Sequence, residues 1–168
     1  MLPKFEWMGI LNTPGISSVQ FGGAATYASI LAFENALATA NADQPGAKFG
    51  YLTSPSARNK LKGAAVALTG ATTVSARPIW DAGNFSDPSD GVVNGYRAAS
   101  TNQVLNNQMF FGDWSQVLVC LFGSGLDVVS DIYTQAATGE VKLTLSAYMD
   151  IAVLHAQSFC VSADSAAQ

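Results

Sequence analysis

The unbroken apolar run from Val117 to Phe122, closed at once by Gly123-Ser124-Gly125, limits most what this chain can fold into. The run has the length of a strand rather than of a buried helix, and a glycine-rich break ends it. A second segment adds a different pattern. Val141, Leu143, Leu145 and Ala147 alternate with Lys142, Thr144, Ser146 and Tyr148, the period-2 signature of a strand with one face buried. Asp150-Ile151-Ala152-Val153-Leu154 reads as a further strand, buried on both faces. Thr134 to Glu140 supplies a hairpin-type connection, with Gly139 near its end. The last third, Phe110 to Phe159, is therefore predicted to be a sheet, with the upstream chain forming helices and turns laid against it.

Upstream, Asn12-Thr13-Pro14-Gly15 is a turn. Thr26 is placed to cap a helix over Tyr27 to about Ala42, whose apolar side is Tyr27, Ile30, Leu31, Leu37 and Ala38. Pro45 forbids its continuation. Phe49 to Thr53 reads as a strand, followed by Ser54 as helix cap and Pro55 at the first helical position. That helix runs to about Lys62, with Gly63 as its C-cap. Residues 64 to 94 are rich in Ala, Thr, Gly, Ser, Asp and Pro, and read as a long surface excursion with an early strand near Val74. Asn94-Gly95 is a tight-turn signal before a strand over Tyr96 to Ala99. The tail from Ser162 to Gln168 is polar and small, and expected to fray.

A length of 168 residues suits one domain with a real core, or a domain plus an extension. Only 12% of the residues are charged, against about 25% in an average soluble protein. Such a chain is expected to hide part of its surface against other copies or partners. A net charge of −4 gives no global basic footprint for nucleic acid. No apolar run approaches the roughly 18 residues of a membrane span, and Met1 to Trp7 lacks the pattern of a signal peptide. Cys120 and Cys160 sit in apolar strand contexts and read as free thiols rather than a disulfide.

Chemistry is sparse. His155 is the single histidine, which leaves no His pair for a metal. His155, Asp113 and Ser158 could be written as a triad, but Gly123-Ser124-Gly125 is not a nucleophile elbow. No catalytic residue, cofactor site or metal site is assigned. Asp81, Asp87, Asp90, Asp113, Asp127, Asp131 and Asp150 fall in turns and at strand starts, where they are expected to cap and brace the backbone. Trp7, Trp80 and Trp114 read as core or subunit-contact residues. Arg58, Lys60, Lys62 and Arg77 form a modest basic cluster, either a solvated face or a patch pairing with acidic turns of a neighbouring subunit. With Trp80 and Phe85 they are the candidate subunit-interface residues.

Several short motifs occur in an order that resembles the tailed-phage major capsid proteins of the Hong Kong 97 type. They are Gly9-Ile10-Leu11-Asn12, the helix from Tyr27, Tyr51-Leu52-Thr53-Ser54-Pro55, Asn94-Gly95-Tyr96-Arg97, Phe111-Gly112-Asp113-Trp114-Ser115, and Asp150 to His155 with Ser158-Phe159. The resemblance implies a mixed α+β fold. Residues 1–118 and 149–168 would form an axial domain with a central sheet flanked by helices, and 119–148 strands of a peripheral domain. It implies a structural protein and no enzyme. Its partners would be other copies of itself, in pentamers and hexamers of an icosahedral head. That shell would enclose packaged DNA without sequence-specific binding, and no membrane is involved. The place would be the virion, after assembly in the bacterial host cytoplasm.

The family's N-terminal arm, extended loop and spine helix have no counterpart here, which reads as an excised fragment or a truncated prophage frame. Val141 and Tyr148 stand where crosslinking members carry Asn and Glu, so self-crosslinking is not expected. The alternatives are an encapsulin-like nanocompartment shell, a small hydrolase on the triad above, or a binding domain using the 64–94 excursion.

Overall fold

The computed structural model describes residues 9–22, 25–66, 77–82, 87–106 and 108–164. After a short 3-10 turn at Ile10–Asn12 come strand β1 (Ser17–Ser18) and helix α1 (Tyr27–Thr39). Thr26 caps α1 as expected, its side chain accepting from the Ser29 N–H at 3.2 Å. The helix stops earlier than Pro45 requires. Asn41 takes a left-handed φ of 52°, and the N–H groups of Asn41 and Ala42 donate to the carbonyls of Ala38 and Leu37, each at 3.0 Å. That pair of bonds satisfies the last carbonyls without any help from proline.

Strand β2 (Phe49–Thr53) leads directly into helix α2 (Pro55–Gly63). Ser54 works at both sides of its cap, accepting from the Ala57 N–H at 3.3 Å and donating to the Asn106 carbonyl at 2.7 Å. Gly63 is the last helical residue, not a left-handed cap, and the chain leaves through an extended Ala64. Strands β3 (Trp80–Asp81), β4 (Asp90–Val93), β5 (Tyr96–Ser100) and β6 (Met109–Asp113) follow. The β4–β5 hairpin turns on Asn94 and Gly95, with φ of 48° and 88°, the two positive angles that match the twist of paired strands.

The main sheet has seven strands in the order β1-β9-β6-β2-β5-β4-β3, where β9 is Phe159–Ser162. Five of them lie upstream of Phe110, which corrects the expectation that the last third is the sheet and the rest its cover. β2 is the centre, parallel to β5 and antiparallel to β6. Both helices pack on one face: Ile30, Phe33 and Leu37 of α1 and Leu61 of α2 share a core with Tyr51, Ala98, Phe111 and Cys160. Tyr51 and Phe111 are direct cross-strand neighbours, stacked with centroids 4.2 Å apart. The opposite face carries a smaller cluster of Val104, Phe110 and Val161, with Ile10, Ile16, Leu52 and Trp114 around it.

The 64–94 excursion is also corrected in part. Ile79 and Trp80 are core residues, 3% and 1% exposed, and β3 and β4 extend the sheet. Two apolar residues in an Ala/Gly/Asp-rich stretch carry no periodicity, so only the tertiary packing reveals them. The strand expected near Val74 lies outside the described residues.

Among the described residues the remaining strands, β7 (Val117–Asp131) and β8 (Lys142–Val153), pair only with each other. They form a long antiparallel ribbon joined through a 3-10 turn at Ala136–Thr138, within the connection read from the sequence. Gly123-Ser124-Gly125 does not end the strand. It sits in a register shift between Phe122 and Asp127, with Gly123 and Gly125 at φ of 71° and 84°. The segments 141–148 and 150–154, read as two strands, are essentially one strand, and its apolar residues are not buried: Leu143 is 60% and Ile151 43% exposed.

Candidate assembly surface

Register sorts the ribbon into two unlike faces. Val117 opposes Val153, Val119 opposes Ile151, Leu121 opposes Met149, and beyond the shift Val128 opposes Leu145 and Ser130 opposes Leu143. Side chains alternate between faces along a strand, so these pairs share one side and make it apolar over nearly its whole length. The other side pairs Cys120 with Asp150, Phe122 with Tyr148, Asp127 with Ser146, Val129 with Thr144 and Asp131 with Lys142. The period-2 reading of 141–148 therefore identified the correct faces. It missed that nothing in the described chain covers the apolar one. At about 3.3 Å per residue, the twelve residues of β8 make a stripe roughly 35 Å long.

The root of the ribbon is tightly built. Asp113 ends β6, is 4% exposed, and gathers the chain on both sides. Its Oδ1 accepts from the Lys48 N–H at 2.8 Å, the Ser115 N–H at 3.0 Å and the Ser115 hydroxyl at 2.7 Å, while Oδ2 accepts from the Gln116 amide at 3.4 Å. Burial works against its charge, but the bonds from Ser115, Lys48 and Gln116 outweigh burial and hold the carboxyl below the usual range. On the return strand the Leu154 N–H donates to the Gln116 carbonyl at 2.9 Å. Trp114 braces the same corner, donating to the Gly50 carbonyl at 3.0 Å and meeting Phe159 edge-on at 5.6 Å.

The written triad is not assembled. His155 Nδ1 and Ser158 Oγ lie 2.9 Å apart at the end of the ribbon, with Ser158 buried. Asp113 spends its described bonds on Lys48, Ser115 and Gln116 instead. Among the described residues there is no group of His, Cys, Asp and Glu able to hold a metal. Both cysteines are free, Cys160 fully buried and Cys120 half-buried on the ribbon. Asp87 and Asp131 brace turns as expected. Asp87 accepts from the N–H and hydroxyl of Ser89, and Asp131 from the N–H groups of Tyr133 and Thr134 and the Thr134 hydroxyl.

The candidate interface residues scatter. Arg58 is spent within the chain, donating to the Pro88 carbonyl at 3.0 Å and the Ser100 hydroxyl at 2.9 Å. Arg77 pairs with Asp81 at 3.5 Å. Trp80 is inside the core, so of the two roles considered for it the subunit-contact one is corrected. Phe85 lies outside the described residues. Lys60 and Lys62 remain on α2, with Lys62 exposed.

The fold has counterparts among solved structures, and the sequence matches a known family. Residues 6–163 match the phage capsid family. The chain belongs to that family. It is 28% identical over 160 residues to the major capsid protein of Halomonas phage phiHAP-1, covering 95% of this chain and 24% of that one. A chain of Mycobacterium phage Patience superposes with a TM-score of 0.58 at 10% identity, over 90% of this chain and 46% of the other. The SrpI encapsulin of Synechococcus elongatus gives 0.57 at 20% identity, over 95% and 57%. The fold of this capsid-family chain is thus the Hong Kong 97-like one. The chain spans about a quarter of the length of its capsid relative and about half of those structures.

Proposed function

We propose that this chain is the shell-forming part of a phage major capsid protein. It self-associates, through pentamers and hexamers, into an icosahedral head that encloses DNA without sequence-specific contact, and it carries no catalysis. Residues 1–118 and 149–168 serve as the axial part and 119–148 as the peripheral part. The shell assembles in the host cytoplasm and is carried in the virion. A net charge of −4 suits a wall that does not hold DNA tightly. The capsid reading is preferred over a nanocompartment shell because the matching family and the major capsid relative are both phage proteins.

The observation that carries the reading is the bare stripe. Val119, Leu121, Val128, Leu143, Leu145, Met149 and Ile151 are each between 43% and 61% exposed on one face of a two-stranded ribbon. A ribbon of that kind is marginal alone and is stabilised by being covered. Covering these half-exposed side chains contributes about 1 kcal/mol each, roughly 7 kcal/mol in all. Association costs about 4–15 kcal/mol, so one such contact is weak and several per copy are needed. A closed array of like copies supplies them.

The test is light scattering coupled to size exclusion, over a range of concentrations, on the chain and on a Val128→Lys, Leu145→Lys variant. Assembly of the parent chain and its loss in the variant, with an unchanged unfolding midpoint, is the expected result. A parent chain that stays monomeric, or a variant that assembles equally well, rejects the stripe as the assembly surface.

A further inference from the structure

A second surface feature lies on the helix-bearing face of the main sheet. Between the last turns of α1 and the starts of β2 and β5 is an open cleft of about 280 Å³. Its floor is a three-ring group. Phe49 and Phe111 are stacked at 5.8 Å, and Tyr96 meets them edge-on at 6.1 Å and 5.3 Å. Two carboxylates, Glu34 and Asp43, stand on its walls. Glu34 Oε1 accepts from the Asn94 amide at 2.6 Å and the Tyr51 hydroxyl at 3.3 Å, while its second oxygen has further acceptor capacity. Among the described residues neither carboxylate is ion-paired. α1 also has no basic residue in its last turn to offset the negative end of its dipole. Burial, and then the fields of Glu34 and Asp43, raise the Tyr96 hydroxyl above its ordinary value.

Two unpaired carboxylates and a helix C-terminus repel an anion. A neutral apolar guest would cover the Asp43 carboxylate and the second Glu34 oxygen without supplying a donor to either, which costs free energy. Aromatic faces beside carboxylates suit a long cationic side chain, with its stem on the rings and its head on the acids. The chain itself carries such a group. α2 holds Arg58, Lys60 and Lys62 and no acid. Arg58 is engaged internally. Lys62 is exposed and has no ion-pair partner among the described residues.

We propose that this cleft receives the basic end of α2 from a second copy, Lys62 foremost, in a head-to-tail contact. The inference rests on the self-association proposed above and adds a specific charge pairing to it. Because the two surfaces differ, the contact is heterologous, and repeated copies close into a ring if the rotation between them allows it.

Charge reversal tests this. Association is measured by light scattering and sedimentation for the parent chain, Asp43→Lys, Lys62→Glu and the double variant. Both positions are exposed, and equal unfolding midpoints establish that all four chains are folded. Each single reversal is expected to weaken association about tenfold or more, and the double to recover to within about threefold, the signature of a direct pair. Parent-like association in either single variant, or no recovery in the double, overturns the contact while self-association stands. A parent chain that is monomeric at every concentration overturns both.

Discussion

Replacing Asp113 by alanine is expected to loosen the junction between sheet and ribbon. The carboxylate is buried and receives two backbone N–H groups, those of Lys48 at 2.8 Å and Ser115 at 3.0 Å, besides the Ser115 hydroxyl. Truncation removes the cap of the Trp114–Gln116 turn, worth about 1 kcal/mol. It also orphans the half-buried Lys48 N–H, which costs about 1–3 kcal/mol. The sum, about 2–4 kcal/mol, is a large part of the 5–15 kcal/mol that about spans domain stability.

Asp113→Asn keeps one acceptor oxygen for the Lys48 and Ser115 donors and loses the charge assistance together with the long 3.4 Å bond from the Gln116 amide, so it should cost about 1 kcal/mol. The two variants separate by pH as well. The folded carboxyl titrates below its ordinary value. Its contribution is therefore fully present above the ordinary carboxylate range and is lost as pH falls through the lower, folded value. Urea midpoints read by tryptophan fluorescence, from pH 7 downward, give the comparison, with Trp114 beside the site as reporter. The gap between parent and Asp113→Asn should close in acid. Asp87, Asp131 and Asp164 titrate low as well, but equally in both chains. An Asp113→Ala chain within about 0.5 kcal/mol of the parent, or a parent–Asn gap independent of pH, refutes the reasoning.

Gly112→Ala should destabilise by about 1–3 kcal/mol in thermal unfolding, because a Cβ there falls 2.4 Å from the Phe159 ring and 2.5 Å from the Ser158 carbonyl. The two thiols should react unequally with a disulfide reagent. Burial pushes Cys160 up to about 11, so native chain should titrate quickly at Cys120 alone, and at both only in denaturant.

The local units were legible because their determinants are local. Thr26 and Ser54-Pro55 announce helix starts, Asn94-Gly95 announces a hairpin, and Phe49 to Thr53 is bounded by breaks on both sides. The free thiols and the turn-bracing role of Asp87, Asp113 and Asp131 followed from residue type and place. The resemblance to capsid proteins was legible in the order of short motifs, since order survives where each motif alone says little.

Partnership was not legible. Periodicity reports which residues share a face, and it did so correctly for 141–148, but it says nothing about what lies opposite that face. β7 and β8 pair with each other because ten residues join them, and no other strand reaches them in the described chain, so the apolar side that the pattern assigned to a core stands bare. Trp80 shows the converse. A lone aromatic among small and polar residues becomes core only because β4 and α2 close over it. Burial is a property of two surfaces meeting. The sequence determines one of them residue by residue, and the tertiary structure alone decides whether the second is present.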